Sequence, residues 1–262
     1  MLVPPRTRRL AAAALAVLAL GAAACGGDRP ELAKEPKPTT TTTEATTTTE
    51  APAPGAQVAQ ADELRIDVYP SPDAEAPDRE IVSGVDTSVD TIPIVFLVKG
   101  TFDATGDAER VEVYLPVRPN GTTGWVNTDE VTITSVTYRI EVAIAEHQLT
   151  LFDGDEVVLE APIGVGTSDT PSPGGIYYLK ELLQPPNPNG AYGHYAYGLS
   201  GFSNVLQSFN GGSGVIGIHG TNDPSSIGTD VSHGCIRLNN DVIDKLVLEI
   251  GLPLGTPVEI LA

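Results

Sequence analysis

Basic residues are scarce in this sequence: 15 Lys and Arg stand against 34 Asp and Glu, for a formal net charge of −19. Three of the basic residues, Arg6, Arg8 and Arg9, precede the first acidic residue, Asp28. Removal of an N-terminal leader would therefore leave 12 basic against 34 acidic residues, a net charge of −22. Proteins that bind nucleic acids carry a basic surface, so the composition argues against that class.

Cysteine and long apolar runs are also scarce. The two cysteines, Cys25 and Cys235, are too few for a framework of disulfides. No apolar run reaches the roughly 20 residues that span a bilayer as a helix, which excludes a polytopic membrane protein. If Cys25 is lipidated or removed, Cys235 has no intramolecular partner, and a lone thiol in an exported protein points to a functional role.

Residues 1–25 have the pattern of an export signal, because a short basic stretch precedes an uncharged run of 15 residues from Leu10 to Ala24. The run ends in AAACG at positions 22–26, which resembles the lipobox of bacterial lipoproteins, although Ala22 stands where that motif usually has Leu. The resemblance implies a lipid on Cys25 that anchors the chain to the outer face of the cytoplasmic membrane, facing the cell wall. Ordinary secretion, with Cys25 removed or left as a bystander, is the alternative.

Residues 26–61 are of low complexity, with nine Thr between positions 39 and 49. The segment has almost no large apolar side chains, so the entropy cost of ordering exceeds the gain from burial. We therefore predict a disordered Thr- and Pro-rich linker over residues 26–61, which holds the folded part away from the membrane.

Residues 62–135 alternate apolar with polar side chains, as half-buried strands do, over Leu64–Tyr69 and Arg110–Leu115. Asn120-Gly121 is a strong hairpin signal, because both positions tolerate positive φ. The run Gly124-Trp125-Val126 resembles the end of a bacterial SH3-like module. The sequence thus predicts a small all-β domain here.

Residues 136–262 carry stronger strand patterns, as in Tyr138–Ile144 and Val215–Ile218. The one clear helical pattern runs from Asp241 to Gly251, where apolar residues recur at every fourth position and Gly251 is a suitable C-cap. The predicted fold class is therefore mainly β with a few short helices.

The chemistry is concentrated in residues 216–239, which read IGIHGTNDPSSIGTDVSHGCIRLN. A thiol becomes a good nucleophile beside an imidazole, and two adjacent strand ends would bring His219 close to Cys235. An imidazolium partner would also lower the pKa of the Cys235 thiol. The backbone amides of Gly234 and Cys235 could hold the oxyanion formed when a carbonyl is attacked.

The pattern His-Gly, a dozen residues, then Ser-His-Gly-Cys-Ile-Arg-Leu-Asn resembles the signature of the bacterial L,D-transpeptidase catalytic domain. Residues 138–142 and the Gly- and Pro-rich stretch at 162–174 resemble the same family. The likeness spans residues 136–262, and the His-to-Cys motif is highly specific.

The resemblance implies a role for each residue of the motif: Cys235 is the nucleophile, His219 its general base, the Gly220 carbonyl orients the imidazole, and His233 lies beside the thiol and shapes the site with Gly234.

Other candidates are less tightly assigned. Arg237 either binds a substrate carboxylate or locks the loop, and Ser232 forms hydrogen bonds within the motif and is a candidate for substrate binding. Tyr197 and His194 follow a Pro-rich loop that lies near the cleft in the family, so each either lines the cleft or packs in the core.

The implied function is that of a peptidoglycan L,D-transpeptidase, a cysteine acyltransferase that needs no cofactor. Cys235 would be acylated by a tetrapeptide stem with loss of D-Ala, and the acyl group would pass to an amine of a neighbouring stem. This cross-linking belongs to cell wall biogenesis and the control of cell shape, and the family resemblance further implies that carbapenems acylate the cysteine. The sequence says nothing of the oligomeric state.

Three alternatives stay open from the residues alone. An L,D-carboxypeptidase would use the same thiol with water as the acceptor, and a non-catalytic wall-binding protein would use the β module to hold glycan. A metal site would need Asp223 or Asp230 to complete a ligand set with the two histidines and the thiol. The sequence has no Cys-x-x-Cys or His-x-x-x-His spacing that would support such a ligand set.

Overall fold

The computed structural model describes residues 55–84, 92–103, 105–209 and 211–262. The predicted signal peptide, the lipidation site Cys25 and the linker up to residue 54 lie outside the described residues. Within the described part the chain is mainly β, as the sequence predicts. Among these residues no helix has the length and apolar character that crossing a membrane requires.

The first half of the described chain is an antiparallel β module. Its strands are β1 Ala56–Ala61, β2 Arg65–Val68, β3 Arg79–Val82, β4 Val95–Leu97, β5 Arg110–Tyr114, β6 Thr123–Asn127 and β7 Val131–Val136. Strands β4, β1 and β7 form one sheet, and β2–β3 and β5–β6 form two hairpins. The single bridges Tyr69–Trp125 and Val98–Val113 connect these three parts around a shared apolar core.

The N-terminal boundary of this module differs from the prediction. Strand β1 lies inside the stretch predicted as linker, and it is the central strand, paired with both β4 and β7. Its alanines gave no strand signal because they are small, yet Ala59 is fully buried between Phe96 and Ile133. The module therefore spans 56–136 rather than 62–135, and the linker ends before residue 56.

The second half is built on one large sheet. Its strands are β8 Tyr138–Ala143, β9 Gln148–Asp153, β10 Glu156–Pro162, β11 Val165–Gly166, β12 Gly175–Leu183, β13 Ala196–Phe202, β14 Val215–His219, β15 Asp230–Ser232, β16 Ile236–Arg237 and β17 Pro257–Leu261. Eight of them form a sheet in the order β10-β9-β8-β17-β12-β13-β14-β16, and β11 pairs with β15.

The alternating pattern of the sequence explains the core of this sheet. Ile140 and Val142 on β8 are buried and lie opposite Leu151 and Leu149 on β9, because alternate side chains of a strand point to one face. The predicted helix is confirmed: α1 Asn240–Asp244 continues as a π-helix over Lys245–Ile250, and Gly251 ends it in the left-handed conformation.

The two halves pack against each other through the outer face of the β4-β1-β7 sheet. Val58, Leu97 and Val136 form an apolar cluster with Tyr178 of β12, and Leu254 packs against it. Because β1 presents Ala59 to the module's own core and Val58 to this contact, it stabilises both.

A chain that begins at Asp62 should be markedly less stable than one that begins at Gly55. The shorter chain loses the central strand, and with it the burial of Val58, Ala59 and Ala61, so we expect a loss of at least about 3 kcal/mol in the free energy of unfolding. Thermal and urea melts of the two purified chains measure this difference. Coincident melts would show that β1 contributes nothing and that the linker does extend to residue 61.

Candidate active site

The parallel pairing of β14 with β16 places the predicted base and nucleophile together. Ile218 lies opposite Ile236 and His219 opposite Arg237. Cys235, one residue before β16, is therefore beside Gly217 on the neighbouring strand. Since alternate side chains share a face, His219 and Cys235 are diagonal neighbours on one face. The prediction that adjacent strand ends bring them close is confirmed.

A serine holds the turn that carries the thiol. The Ser232 hydroxyl donates to the Cys235 carbonyl at 2.6 Å and accepts from the Gly234 amide at 3.0 Å. Gly234 has φ +113°, a conformation that side-chain-bearing residues rarely adopt. Glycine is thus required at the turn that presents Cys235.

These bonds correct one of the predicted roles and confirm another. The Gly234 amide is already hydrogen-bonded to Ser232, so its assignment as an oxyanion donor is wrong, and shaping the turn remains. The Ser232 hydroxyl forms the predicted hydrogen bonds within the motif, and Ser232 also lines the smaller cavity. One acceptor lone pair of the hydroxyl is left for a ligand, so the assignment of Ser232 to substrate binding stays a prediction.

The tautomer of His219 follows from its contact with Gly220. The ring atom Nδ1 lies 2.6 Å from the Gly220 carbonyl oxygen. A carbonyl only accepts, so Nδ1 carries the proton and Nε2 has a free lone pair. The Tyr192 ring packs against the imidazole in a T-shaped arrangement, with ring centroids 4.8 Å apart. Gly220 therefore orients the ring as expected, and Nε2 can accept a proton.

Burial makes both groups neutral at rest. It lowers the pKa of His219 to about 4, helped by the charge of Arg237 and opposed by the hydrogen bond to Gly220. Burial also raises the pKa of the Cys235 thiol, although the Gly217 backbone and Arg237 act in the opposite direction. The expected imidazolium partner and depressed thiol pKa are wrong, because desolvation disfavours both charged forms.

The pair lies where two cavities meet. The larger has a volume of about 520 Å³ and the smaller about 90 Å³. Residues that line both are Tyr192, Phe209, Gly214, Val215, His219 and Cys235. Those that line only the larger cavity include Glu181, Leu183, Pro185, Tyr197 and Gly198, and those that line only the smaller one include Ser203, Leu206, Ser232, His233 and Arg237. A group bound in either cavity can therefore reach the thiol.

Arg237 and His233 differ sharply within the smaller cavity. The Nε of Arg237 is buried and has no hydrogen-bond partner in the described part of the chain. An unpaired buried guanidinium nitrogen favours an anionic ligand. His233 is exposed and packs on the Phe209 ring, with centroids 4.9 Å apart.

The aromatic stretch after the Pro-rich loop contributes one predicted residue and one that the sequence did not indicate. Tyr197 is among the residues that line the larger cavity, although its side chain is largely buried and its hydroxyl donates to the Leu252 carbonyl at 3.3 Å. His194 pairs with Asp244 at 2.8 Å and ties this stretch to α1. Tyr192 packs against His219 and, like Phe209, lines both cavities; sequence reasoning missed both residues.

The alternative metal site is not assembled. Asp230 pairs with His147 at 2.7 Å, and Asp223 accepts from the Ser225 amide. Neither carboxylate lines a cavity with His219 and Cys235. Within the ranges that the structure describes, no three metal-ligating side chains come together.

Residues 137–260 match the profile of the YkuD family, the L,D-transpeptidase catalytic domain. YkuD of Bacillus licheniformis, whose name assigns it to the L,D-transpeptidases, is 40% identical over 126 residues, which are 48% of this chain and 67% of that protein. YkuD of Bacillus subtilis is 39% identical over 127 residues, with the same coverage of 48% and 67%. Among solved structures, Bd1075 of Bdellovibrio bacteriovorus is 30% identical, over 48% of this chain and 47% of that one, with a TM-score of 0.38.

Alkylation of Cys235 by iodoacetamide should become faster only at high pH. Because burial raises its pKa, the midpoint of the rate profile should lie above the value of about 8.5 for a free cysteine. In His219→Ala we expect the midpoint to fall toward the free value, since solvent enters beside the thiol, whereas the exposed His233→Ala should leave it in place. Rates measured from pH 5 to 10 decide this, and a wild-type midpoint well below 8 would contradict the neutral pair.

Proposed function

Because the chain belongs to the L,D-transpeptidase family, we propose that Cys235 is acylated by a peptidoglycan stem peptide and passes the acyl group to an amine. One observation carries this proposal: His219 and Cys235 are diagonal neighbours on β14 and β16, at the junction of two cavities. Both residues lie within the matched segment 137–260. No cofactor takes part, since a thiol with a base suffices for acyl transfer.

In the proposed acylation both reacting groups start neutral. As Sγ attacks the carbonyl of the L-to-D amide bond, Nε2 of His219 takes the thiol proton. The C–N bond then breaks, and the imidazolium returns that proton to the departing amine of D-Ala, leaving a thioester on Cys235. An imidazolium with a pKa of about 4 is a strong proton donor, which favours rapid protonation of the leaving amine.

In the second step an amine of a neighbouring stem attacks the thioester. His219 takes a proton from the amine, the C–S bond breaks, and the proton returns to the thiol. The acceptor amine attacks the same carbonyl carbon that the amine of D-Ala has left. We therefore place the acceptor on the side of the thioester from which D-Ala departs. With water as acceptor the same steps describe the L,D-carboxypeptidase.

The positive charge of Arg237 in the smaller cavity supports placing the leaving D-Ala there. Arg237 is the cation that lines it, its Nε is unpaired within the described residues, and D-Ala leaves with a free carboxylate. At about 90 Å³ the cavity suits a group of alanine size, while the larger one has room for the rest of the stem peptide. We assign Arg237 to the carboxylate of the terminal D-Ala.

Muropeptides with tetrapeptide stems should be converted into cross-linked dimers, as read by mass spectrometry. Cys235→Ala should be inactive and should also lose the single carbapenem adduct that we expect on this residue. His219→Ala should be slower by about 10²–10⁴-fold, the usual cost of removing a general base, and the exposed His233→Ala should lose less.

The products separate the candidate functions. Tripeptides without dimers would identify a carboxypeptidase, and unchanged stems would leave only a wall-binding protein. A larger loss in His233→Ala than in His219→Ala would mean that the two histidines have exchanged roles.

We further propose that the chain is exported and anchored through a lipid on Cys25, which rests on the lipobox-like residues 22–26 alone. The linker would then let the catalytic domain reach the cell wall from the outer face of the membrane.

Cys25→Ala should move the protein from the membrane fraction to the soluble fraction, because a substituted lipobox cannot be acylated. Fractionation and immunoblotting measure this, and activity on muropeptides should be unchanged, since Cys25 is far in sequence from the catalytic domain. A variant that stays in the membrane fraction would contradict the anchor.

A further inference from the structure

One wall of the smaller cavity is a loop between β13 and β14, here called the Phe209 loop, comprising residues 203–209 and 211–214. Ser203, Leu206 and Phe209 line the cavity, and Phe209 packs on His233. The loop closes on itself through Ser203 N to Gly214 O at 2.8 Å and a reciprocal pair between Phe209 and Gly212. Its position relative to the thiol therefore depends on contacts from other parts of the chain.

The strongest such contacts come from Arg118, in the β5–β6 turn of the N-terminal module. Its guanidinium donates to the carbonyls of Ser203 at 2.6 Å, Leu206 at 2.9 Å and Ser213 at 3.0 Å. It also lies over the Phe202 ring, 4.8 Å from the centroid. A rigid planar fork that holds three carbonyls fixes both ends of the Phe209 loop at once.

Asn120, in the same turn, holds the residue that precedes the loop. Its amide nitrogen donates to the Phe202 carbonyl at 2.8 Å, and its oxygen accepts from the Phe202 amide at 2.9 Å. Phe202 pairs with Val215 of β14, and the Asn120 side chain bonds both backbone groups of Phe202, which has no partner on β12. The start of the Phe209 loop is therefore fixed to the N-terminal module as well as to the sheet.

We propose that Arg118 is a positioning residue for the transferase reaction, and that the N-terminal module braces the cavity wall on which substrate binds. This inference rests on the proposed function, because it concerns binding in the same cavity. Without Arg118 the three carbonyls lose charge-assisted hydrogen bonds, and the loop populates other conformations. Substrate must then select the competent one, which weakens apparent binding by the fraction populated.

Arg118→Gln should therefore raise KM for the muropeptide donor about tenfold while kcat changes less than about threefold. Hydrogen exchange at residues 203–209 and 211–214 should become faster. Alkylation of Cys235 by iodoacetamide should keep its wild-type pH profile, because β14 and β16 set the surroundings of the thiol and the reagent is small. This combination separates loop placement from general damage to the site.

Arg110→Gln is the matched control. Arg110 donates to the carbonyls of Pro72 and Ala74, each at 2.9 Å, and lies 3.5 Å from the centroid of the Tyr69 ring. Substitution of Arg110 removes the same kinds of contact as substitution of Arg118, but all the contacts of Arg110 lie within the N-terminal module. We expect Arg110→Gln and Arg118→Gln to lower the melting temperature by similar amounts. Arg110→Gln should nevertheless keep the wild-type KM and the wild-type rate of hydrogen exchange in the Phe209 loop.

Two results would overturn the proposal: wild-type KM and exchange in Arg118→Gln, or an equal rise of KM in Arg110→Gln. If Arg118→Gln does not fold, Arg118→Lys provides the same readouts, with a smaller rise in KM, because a lysine keeps the charge but not the fork. If the wild-type protein turns over no muropeptide, the proposed function fails, and the exchange comparison alone decides whether Arg118 orders the loop.

Discussion

The parallel pairing of β14 with β16 is the contact on which the site depends. Parallel neighbours cannot be joined by a tight hairpin, so the chain between them must leave the sheet and return. Here that crossover is held by β15, which pairs with β11, and by Ser232, whose carbonyl accepts from Thr167 N and Thr170 Oγ1 at 3.1 Å each. The return of the chain is thus fixed immediately before the thiol.

Burial determines how the pair at this junction works. A thiolate–imidazolium pair would place two opposite charges in a poorly solvated position, and desolvation resists each of them. The same burial gives His219 a pKa of about 4, so its protonated form exists only while a negative charge develops beside it. Charge separation is therefore confined to the moment of attack.

Much of this architecture could be predicted from local sequence patterns, and its exceptions have identifiable causes. Alternation revealed the strands of the second half, and the His-to-Cys spacing revealed the reacting pair. Strand β1 was missed because its small side chains carry no strand signal. Tyr192 was missed because it lies in a turn before β13, where no periodic pattern indicates which way a side chain points.

Contacts between distant segments could not be predicted at all. Arg118 reaches carbonyls 85, 88 and 95 residues away along the chain, and nothing in the residues near it distinguishes it from Arg110. A basic residue in a turn is usually solvated, so the sequence gives no reason to connect the first module with the chemistry of the second. The packing of Val58 and Val136 on Tyr178 joins the two halves, and the hydrogen bonds of Arg118 and Asn120 then hold the β5–β6 turn against the Phe209 loop and the residue before it.

The size of the smaller cavity bears on the choice between amine and water as acceptor. Nε2 of His219 must assist either one, and both must approach the thioester from the side that D-Ala leaves. A cavity of about 90 Å³ has room for a few water molecules or for one group of alanine size. An acceptor stem that fills this space displaces the water that would otherwise attack. The partition between transfer and hydrolysis then depends on how completely the acceptor fills the cavity, one wall of which is the Phe209 loop.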